Sequence, residues 1–423
     1  MTITLGAAVL ALAMAAPAVA DPWRPGFDRA TLTGFASLPA QTFVPGSEPS
    51  GAQLGTAPVN GVTPPFAGQP VQGFSGIVRR HDGTFDALSD NGYGAKANSA
   101  DFLLRVHRIR PDFRRGKVEV LGGFDLSDPD GHVTWPLTRT DRKLTGADFD
   151  VESIVRTLDG TYWIGDEFGP FLLHFSPTGR LLEAPVSLPD VKAPENPFLD
   201  GGQPNLGRSK GFEGMARSVD GRRLYPLLEG TVTGDPSGSL RMHEFDLRRR
   251  AYTGKRWTYR LDSSDNAIGD MIAVDRNRFL VIERDNLQGD AARTKRIYLV
   301  DTRDRDLRKT LVADLLDLAN PRGLGGFGET FRFPFQTHRG HRDPRRPDAG
   351  RAGRQQTSRS PPAVRRTGPT TTSSSPYGCR ARSWRTPAST CDGCGPPRPP
   401  VTSRSACDPL RGSPGLTGEP LRR

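Results

Sequence analysis

A chain of 423 residues with a formal net charge of +11 invites a nucleic-acid or membrane reading, but the charge is not spread along it. Residues 336–423 hold 17 Arg, no Lys and 5 acids, which leaves 41 basic and 42 acidic residues in 1–335, a net of −1. So neutral a body gives no overall electrostatic case for DNA or anionic lipid, and the expected partners exclude nucleic acid and, in the mature form, a membrane.

Taken from the start, residues 3–16 are an unbroken run of apolar and small residues, followed by Pro17 and Ala18-Val19-Ala20 before Asp21. This is the small-x-small pattern a signal peptidase accepts, on a run too short to span a bilayer. The expectation is a signal peptide over 1–20 and a secreted or periplasmic protein. Residues 21–70 are Pro- and Gly-rich with short β-prone pieces at 31–38 and 42–44.

From Gly73 to Val300 one pattern recurs four times. The copies open on Gly73-Phe-Ser-Gly-Ile77, Asp150-Val-Glu-Ser-Ile154, Gly211-Phe-Glu-Gly-Met215 and Ile268-Gly-Asp-Met-Ile272. A turn follows each (Asp82-Gly83, Asp159-Gly160, Asp220-Gly221, Arg276-Asn277), then a short apolar strand that runs into acidic residues. Third strands are predicted at 103–109, 171–175, 240–245 and 296–300, and fourth strands at 118–126 and 256–261. The one helix-like stretch is 310–318, and 188–207 and 319–328 read as linkers. Such self-similarity predicts an all-β fold, a β-propeller-like repeat of four-stranded blades.

After Phe335 the composition changes abruptly. No Ile, Phe, Met or Lys occurs from Gln336 onward, and Arg, Pro, Ser, Thr and Gly dominate. Residues 336–423 are therefore expected to be a disordered tail, with the composition of a reading-frame shift in a GC-rich gene. All four cysteines (Cys379, Cys391, Cys394, Cys407) lie there. Cys391 and Cys394 have zinc-knuckle spacing but no credible further ligands, so no zinc site is expected. The propeller domain is set at 21–335, its ring apparently truncated by a last blade, a loss that leaves open strand edges and can cost such a chain its activity.

The chemistry rests on the matched acids. In a propeller, first strands line the central channel and the loops of one end meet at its mouth. Glu152 and Glu213 occupy the same place in their copies, with Asp270 and Ser75 as counterparts. Asp90, Asp166 or Glu167, Glu229, and Glu283 or Asp285 form a second set at the ends of the second strands. Carboxylates gathered this way repel one another unless a cation lies among them, and oxygen ligands suit Ca2+. The candidate metal ligands are thus Glu152, Glu213, Asp270, Asp90, Glu167, Glu229, Glu283 and Asp285. The candidate catalytic residues are Glu152, Glu213, Asp90 and Asp166. Lys96, Arg208, Lys210 and Arg284 stand beside these loops and suit a phosphate or carboxylate substrate. His107, His174 and His243 fall inside third strands and read as blade residues rather than bases. Residue by residue, a strand-end acid more often caps a turn or pairs with Arg; only the recurrence points to a site.

The runs Gly73-Phe-Ser-Gly-Ile with Ser89-Asp-Asn-Gly-Tyr-Gly94, Asp150-Val-Glu-Ser-Ile with Ile164-Gly-Asp-Glu-Phe-Gly-Pro170, and Gly211-Phe-Glu-Gly-Met with Leu227-Leu-Glu-Gly230 resemble the phytase-like family, "esterase-like activity of phytase". The resemblance covers about residues 28 to 335. It implies a secreted propeller that hydrolyses phosphate or other esters, with a small-molecule ester as substrate. It also implies a further acidic unit after the Phe-Pro-Phe stretch, where this chain continues Gln336-Thr-His-Arg. Two other readings stand beside it: a non-catalytic secreted propeller that binds a ligand or protein partner, and a lactonase-like propeller.

Overall fold

Asp-Gly turns set the rhythm of the chain. In the computed structural model, which describes residues 29–59, 61–71 and 73–333, Gly83, Gly160 and Gly221 take φ of +79°, +89° and +73°. That is the left-handed region glycine enters without cost. The aspartate before each glycine accepts a backbone N–H two residues on: Thr84 to Asp82, Thr161 to Asp159, Arg222 to Asp220. Asp275 does the same for Asn277 in the fourth copy. Each turn joins the first two strands of a four-stranded antiparallel sheet.

The four sheets run in chain order. The first holds β1 (Phe74–Arg79), β2 (Phe85–Ser89), β3 (Arg105–Asp112) and β4 (Lys117–Asp125). The second holds β5 (Val151–Arg156), β6 (Tyr162–Asp166), β7 (Phe171–Phe175) and β8 (Val186–Ser187). The third holds β9 (Phe212–Arg217), β10 (Arg223–Leu228), β11 (Ser239–Asp246) and β12 (Ala251–Arg260). The fourth holds β13 (Ala267–Ala273), β14 (Arg278–Arg284), β15 (Lys295–Asp301) and β16 (Arg308–Asp314). The first strands β1, β5, β9 and β13 pack on one another in sequence, and β13 also meets β1. This is a four-blade propeller arrangement, as the repeat predicts.

Strand alternation explains why the blades read as nearly continuous apolar runs. On β6, Tyr162 and Ile164 join the core shared with the first blade, while Trp163 between them joins the core shared with the third. On β7, Phe171, Leu173 and Phe175 face the first blade and Leu172 the third. Both faces of a middle blade are buried against a neighbour, so neither parity is polar.

The stretch 310–318, expected to be helical, is instead largely β16. Its apolar residues Leu311, Ala313 and Leu315 alternate with period two, and Ala313 and Leu315 enter a core. The β-prone pieces near 31–44 make only isolated bridges, at Thr31, Ser37 and Phe43. They matter for the ring nonetheless. Leu32 and Phe35 pack with Ala313, Leu315, Leu318 and Phe331 beside the fourth blade, while Ala36 and Leu38 pack with Ala87, Ile109 and Val118 of the first. Leu32 N–H donates to Ala319 O at 2.8 Å beside the small sheet β17 (Leu318–Ala319) and β18 (Thr330–Phe331), and Val118 N–H donates to Ser37 O at 3.1 Å. Residues 30–38 thus stitch the seam between the last blade and the first. The signal peptide and the tail expected at 336–423 lie outside the described residues.

A second tie crosses the seam. The Asp270 carboxylate on β13 accepts the N–H of Met271 at 2.7 Å and that of Ile77 on β1. Burial pushes Asp270 up to about 7, against the pull of those two N–H groups. Because the folded value lies above the ordinary one, the stability this group allows is complete below pH ~4 and is lost as pH rises through about 7. Asp270→Asn should therefore melt higher than the parent at pH 8, by about 2 kcal/mol after discounting for partial exposure, and no higher at pH 4. Equal melting differences at the two pH values would contradict this account.

Candidate functional site

A bulge at the same point of every inner strand aims the site. In β5, Val151 pairs with Asp166 and Ser153 with Gly165, so Glu152 is the extra residue; in β9 the extra residue is Glu213, and in β1 it is Ser75. A bulge bends its strand and re-aims one side chain. Here it directs Glu152 and Glu213 to the start of the inner strands, where the second strands end. In β13 the bulge sets two residues, Gly269 and Asp270, against Ile282. The register shift is one residue there as in the other blades, but the Asp270 carboxylate accepts the N–H of Ile77 on β1, and among the described residues Asp270 is not grouped with Glu213.

The carboxylates brought together are buried. Ligand atoms of Asp90, Asp150 and Glu152 lie within 4.8 Å of one another, as do those of Glu152, Glu167 and Glu213, so Glu152 belongs to both groups. Gly211 makes the approach possible: a Cβ there would lie 2.5 Å from Glu167 Cα. Burial raises Glu152, Glu167 and Glu213 well above the usual carboxylate range. Their mutual repulsion adds to it, Asp90 acting on Glu152 and Glu229 on both Glu167 and Glu213.

Two cations neutralise one side of the cluster. Arg284, fully buried, donates from Nη2 to Glu229 Oε1 at 2.8 Å and to Glu213 Oε1 at 3.3 Å. Lys210 pairs with Glu229 Oε2. These contacts hold Lys210 above its ordinary value although burial opposes its charge. Neither residue is available to a substrate as the sequence suggested; both are spent on carboxylates. Arg208 is largely exposed and pairs with Glu195. Lys96 differs: its Nζ sits 4.6 Å over the Phe168 ring, next to Glu167, and among the described residues it forms no ion pair.

Other predicted ligands are committed elsewhere. Glu283 lies inside the fourth blade, accepting from Tyr259 Oη at 2.8 Å, Asp262 N at 2.7 Å and Lys309 Nζ at 2.7 Å. Asp285 accepts from Thr294 N at 2.9 Å and pairs with buried Lys295 at 3.0 Å. Asp166 accepts from Asp150 N and Gly169 N, both at 2.8 Å, and burial pushes it to about 7. It shapes the loop that carries Glu167 and is not among the acids grouped around Glu152. The histidines are blade residues: burial lowers His107 to about 3 and His243 to about 4, and His174 spans Glu183 and Thr161 at 2.7 and 3.0 Å. Asp150 was missed, although it stands two residues before Glu152, the spacing that puts two side chains on one face of a strand.

A family profile described as "Phytase-like: Esterase-like activity of phytase" matches residues 69–338. The chain belongs to the phytase-like family. Within this family's matched span lie all four blades and every carboxylate of the cluster. A curated relative, an "Uncharacterized secreted protein" of Arthroderma benhamiae, is 32% identical over 123 residues, 23% of this phytase-like chain and 24% of the relative. The match therefore spans about a quarter of that relative's length. Among solved structures, similarity extends to the Dos1 propeller (11% identical, 58% of this chain and 49% of that one, TM-score 0.29). A Lactobacillus plantarum protein (12%, 58% and 72%, TM-score 0.33) and a GH43 β-1,3-galactosidase (11%, 63% and 49%, TM-score 0.36) are similar at the same level. Likeness of that degree says nothing about chemistry.

Proposed function

We propose that the chain is an exported hydrolase of phosphate or other esters that works with Ca2+ held by Glu152, Glu167 and Glu213, with Asp90 and Asp150 beside them. One observation carries the reading. Glu167 is fully buried, within 4.8 Å of Glu152 and Glu213, and neither of its carboxylate oxygens has a hydrogen-bond partner among the described residues. A buried acid without donors is costly unless a cation or a proton accompanies it. An all-carboxylate donor set fits a hard, oxygen-seeking ion. Such an ion supplies Lewis acidity toward an ester or phosphoryl oxygen and acidifies a water.

The chain's own residues do the remaining work. Arg284 and Lys210 fix Glu213 and Glu229 beside Glu167, whose two oxygens are left to the ion. Lys96 is left to meet an anionic group at the mouth. Family membership supports ester chemistry. Export is supported by the secreted relative and by the predicted signal sequence, and no described helix is long and apolar enough to cross a membrane.

The deciding experiment is turnover of a generic phosphomonoester and a phosphodiester by the purified chain. The expected result is hydrolysis that EDTA abolishes and added Ca2+ restores. Turnover indifferent to EDTA would remove the ion's role. No turnover of phosphate esters, carboxylic esters or sugar lactones would leave a non-catalytic ligand-binding propeller instead.

A further inference from the structure

The four turns between first and second strands lie at the end of the blades opposite the carboxylate cluster. The residue before each turn aspartate is His81, Leu158, Val219 or Val274, all exposed. The three aliphatic ones are 80%, 60% and 46% accessible, an unusual degree for large apolar side chains at matched positions of three consecutive blades. Leu158 leans across to the third blade, where its Cδ1 would lie 2.8 Å from a Cβ placed on Gly221. The tips are therefore neighbours on one face.

Arginines collar them. Arg79, Arg156 and Arg217 end β1, β5 and β9, and Arg222 and Arg276 sit in the turns. Arg156 folds over Gly160 and Arg217 over Gly221, each guanidinium nitrogen 3.0 Å from where a Cβ would stand. None of these five makes an ion pair among the described residues, against three similarly placed aspartates, Asp82, Asp159 and Asp220. Asp275 is already paired with Arg278. The near-zero net charge of residues 1–335 hides this polarity, acid at one end and arginine at the other, which a sum over the sequence does not resolve.

We propose that this end of the propeller docks on an anionic lipid surface, Leu158, Val219 and Val274 entering the headgroup boundary and the arginine collar meeting the phosphates. Aliphatic tips ringed by cations are the chemistry of interfacial binding: apolar burial holds the protein and charge selects anionic lipid. Arginine stems lie along apolar surface while their heads stay wet. Docked in this way, the carboxylate mouth faces away from the lipid. The inference does not depend on what that mouth binds.

The test is co-sedimentation of the full-length chain with vesicles of equal parts phosphatidylcholine and phosphatidylglycerol, and with phosphatidylcholine alone. All comparisons keep residues 336–423, because their 17 arginines contribute equally to every variant. Expected are binding to the mixed vesicles only, a loss of about tenfold or more in L158S/V219S/V274S, and a loss of about tenfold or more in R156Q/R217Q, roughly fivefold per basic residue. The three aliphatic side chains are exposed and Arg156 and Arg217 are half-buried, so thermal melts of both variants accompany the binding measurement to show that each is folded. Absence of binding to the mixed vesicles, or equal binding by wild type and both variants, overturns the proposal. A loss confined to the arginine variant also overturns it, because that is adsorption without the apolar tips.

Discussion

Glu152→Gln should lower Ca2+ affinity by about a hundredfold or more and remove hydrolysis with it, since the substitution takes a charged oxygen from both carboxylate groups at once. The same change should raise the melting temperature of the metal-free protein. Burial and the charges of Asp90, Glu213, Asp150 and Glu167 all penalise ionised Glu152, and an amide of the same shape escapes that penalty. In EDTA at pH 8 the variant should melt a few degrees above wild type; in Ca2+ well above the wild-type Kd the order should reverse, because wild type gains more binding energy from the ion. A variant that melts lower than wild type in EDTA would show that Glu152 is held by favourable contacts and is not a ligand in waiting.

Arg284→Met should be the most destabilising single change in the site. The guanidinium is wholly buried and bridges Glu213 and Glu229, and Lys210 alone cannot serve both carboxylates. Removing one partner of a buried charge network costs about 3–5 kcal/mol because the other charges stay buried. For a domain of this size that is a fall in melting temperature on the order of 10 °C. Arg284→Met combined with Glu229→Gln should recover part of the loss. Melting of the single variant within about 1 kcal/mol of wild type would mean that water or a bound cation already carries those carboxylates.

The fold was legible because the repeat is written in turn chemistry and strand parity. The aspartate-glycine pairs and the segments 171–175, 240–245 and 296–300 fall on observed turns and strands with small shifts. The stretch 310–318 was misread because its apolar residues, Leu311, Ala313, Leu315 and Leu318, also satisfy a helical spacing in part, and only pairing with the neighbouring strand β15 decides between periods. In the site, Glu152 and Glu213 were found by their matched places. Asp270 shares that place in the sequence and not in space: its bulge sets Gly269 and Asp270 together against Ile282, and its carboxylate is taken by the N–H of Ile77 across the seam, a contact that composition does not signal. Arg284 and Lys210 carried the right position and the wrong role. Which cation a carboxylate has already captured depends on distances across blades, and sequence spacing does not encode them.

The stitching of the seam has a kinetic consequence. Arg29 contacts Asp317 across a separation of 288 residues, and Leu32 meets Ala319 over a similar span. Each interblade core along the chain can form as soon as its two blades exist, but the contacts of residues 30–38 with β17 and β18 must wait until nearly the whole described chain has been made. At common synthesis rates that is a delay on the order of tens of seconds. Contacts of such long range also slow refolding. The start of the chain is thus the last part to settle, and its capture by β17 is the step that ties the last blade to the first.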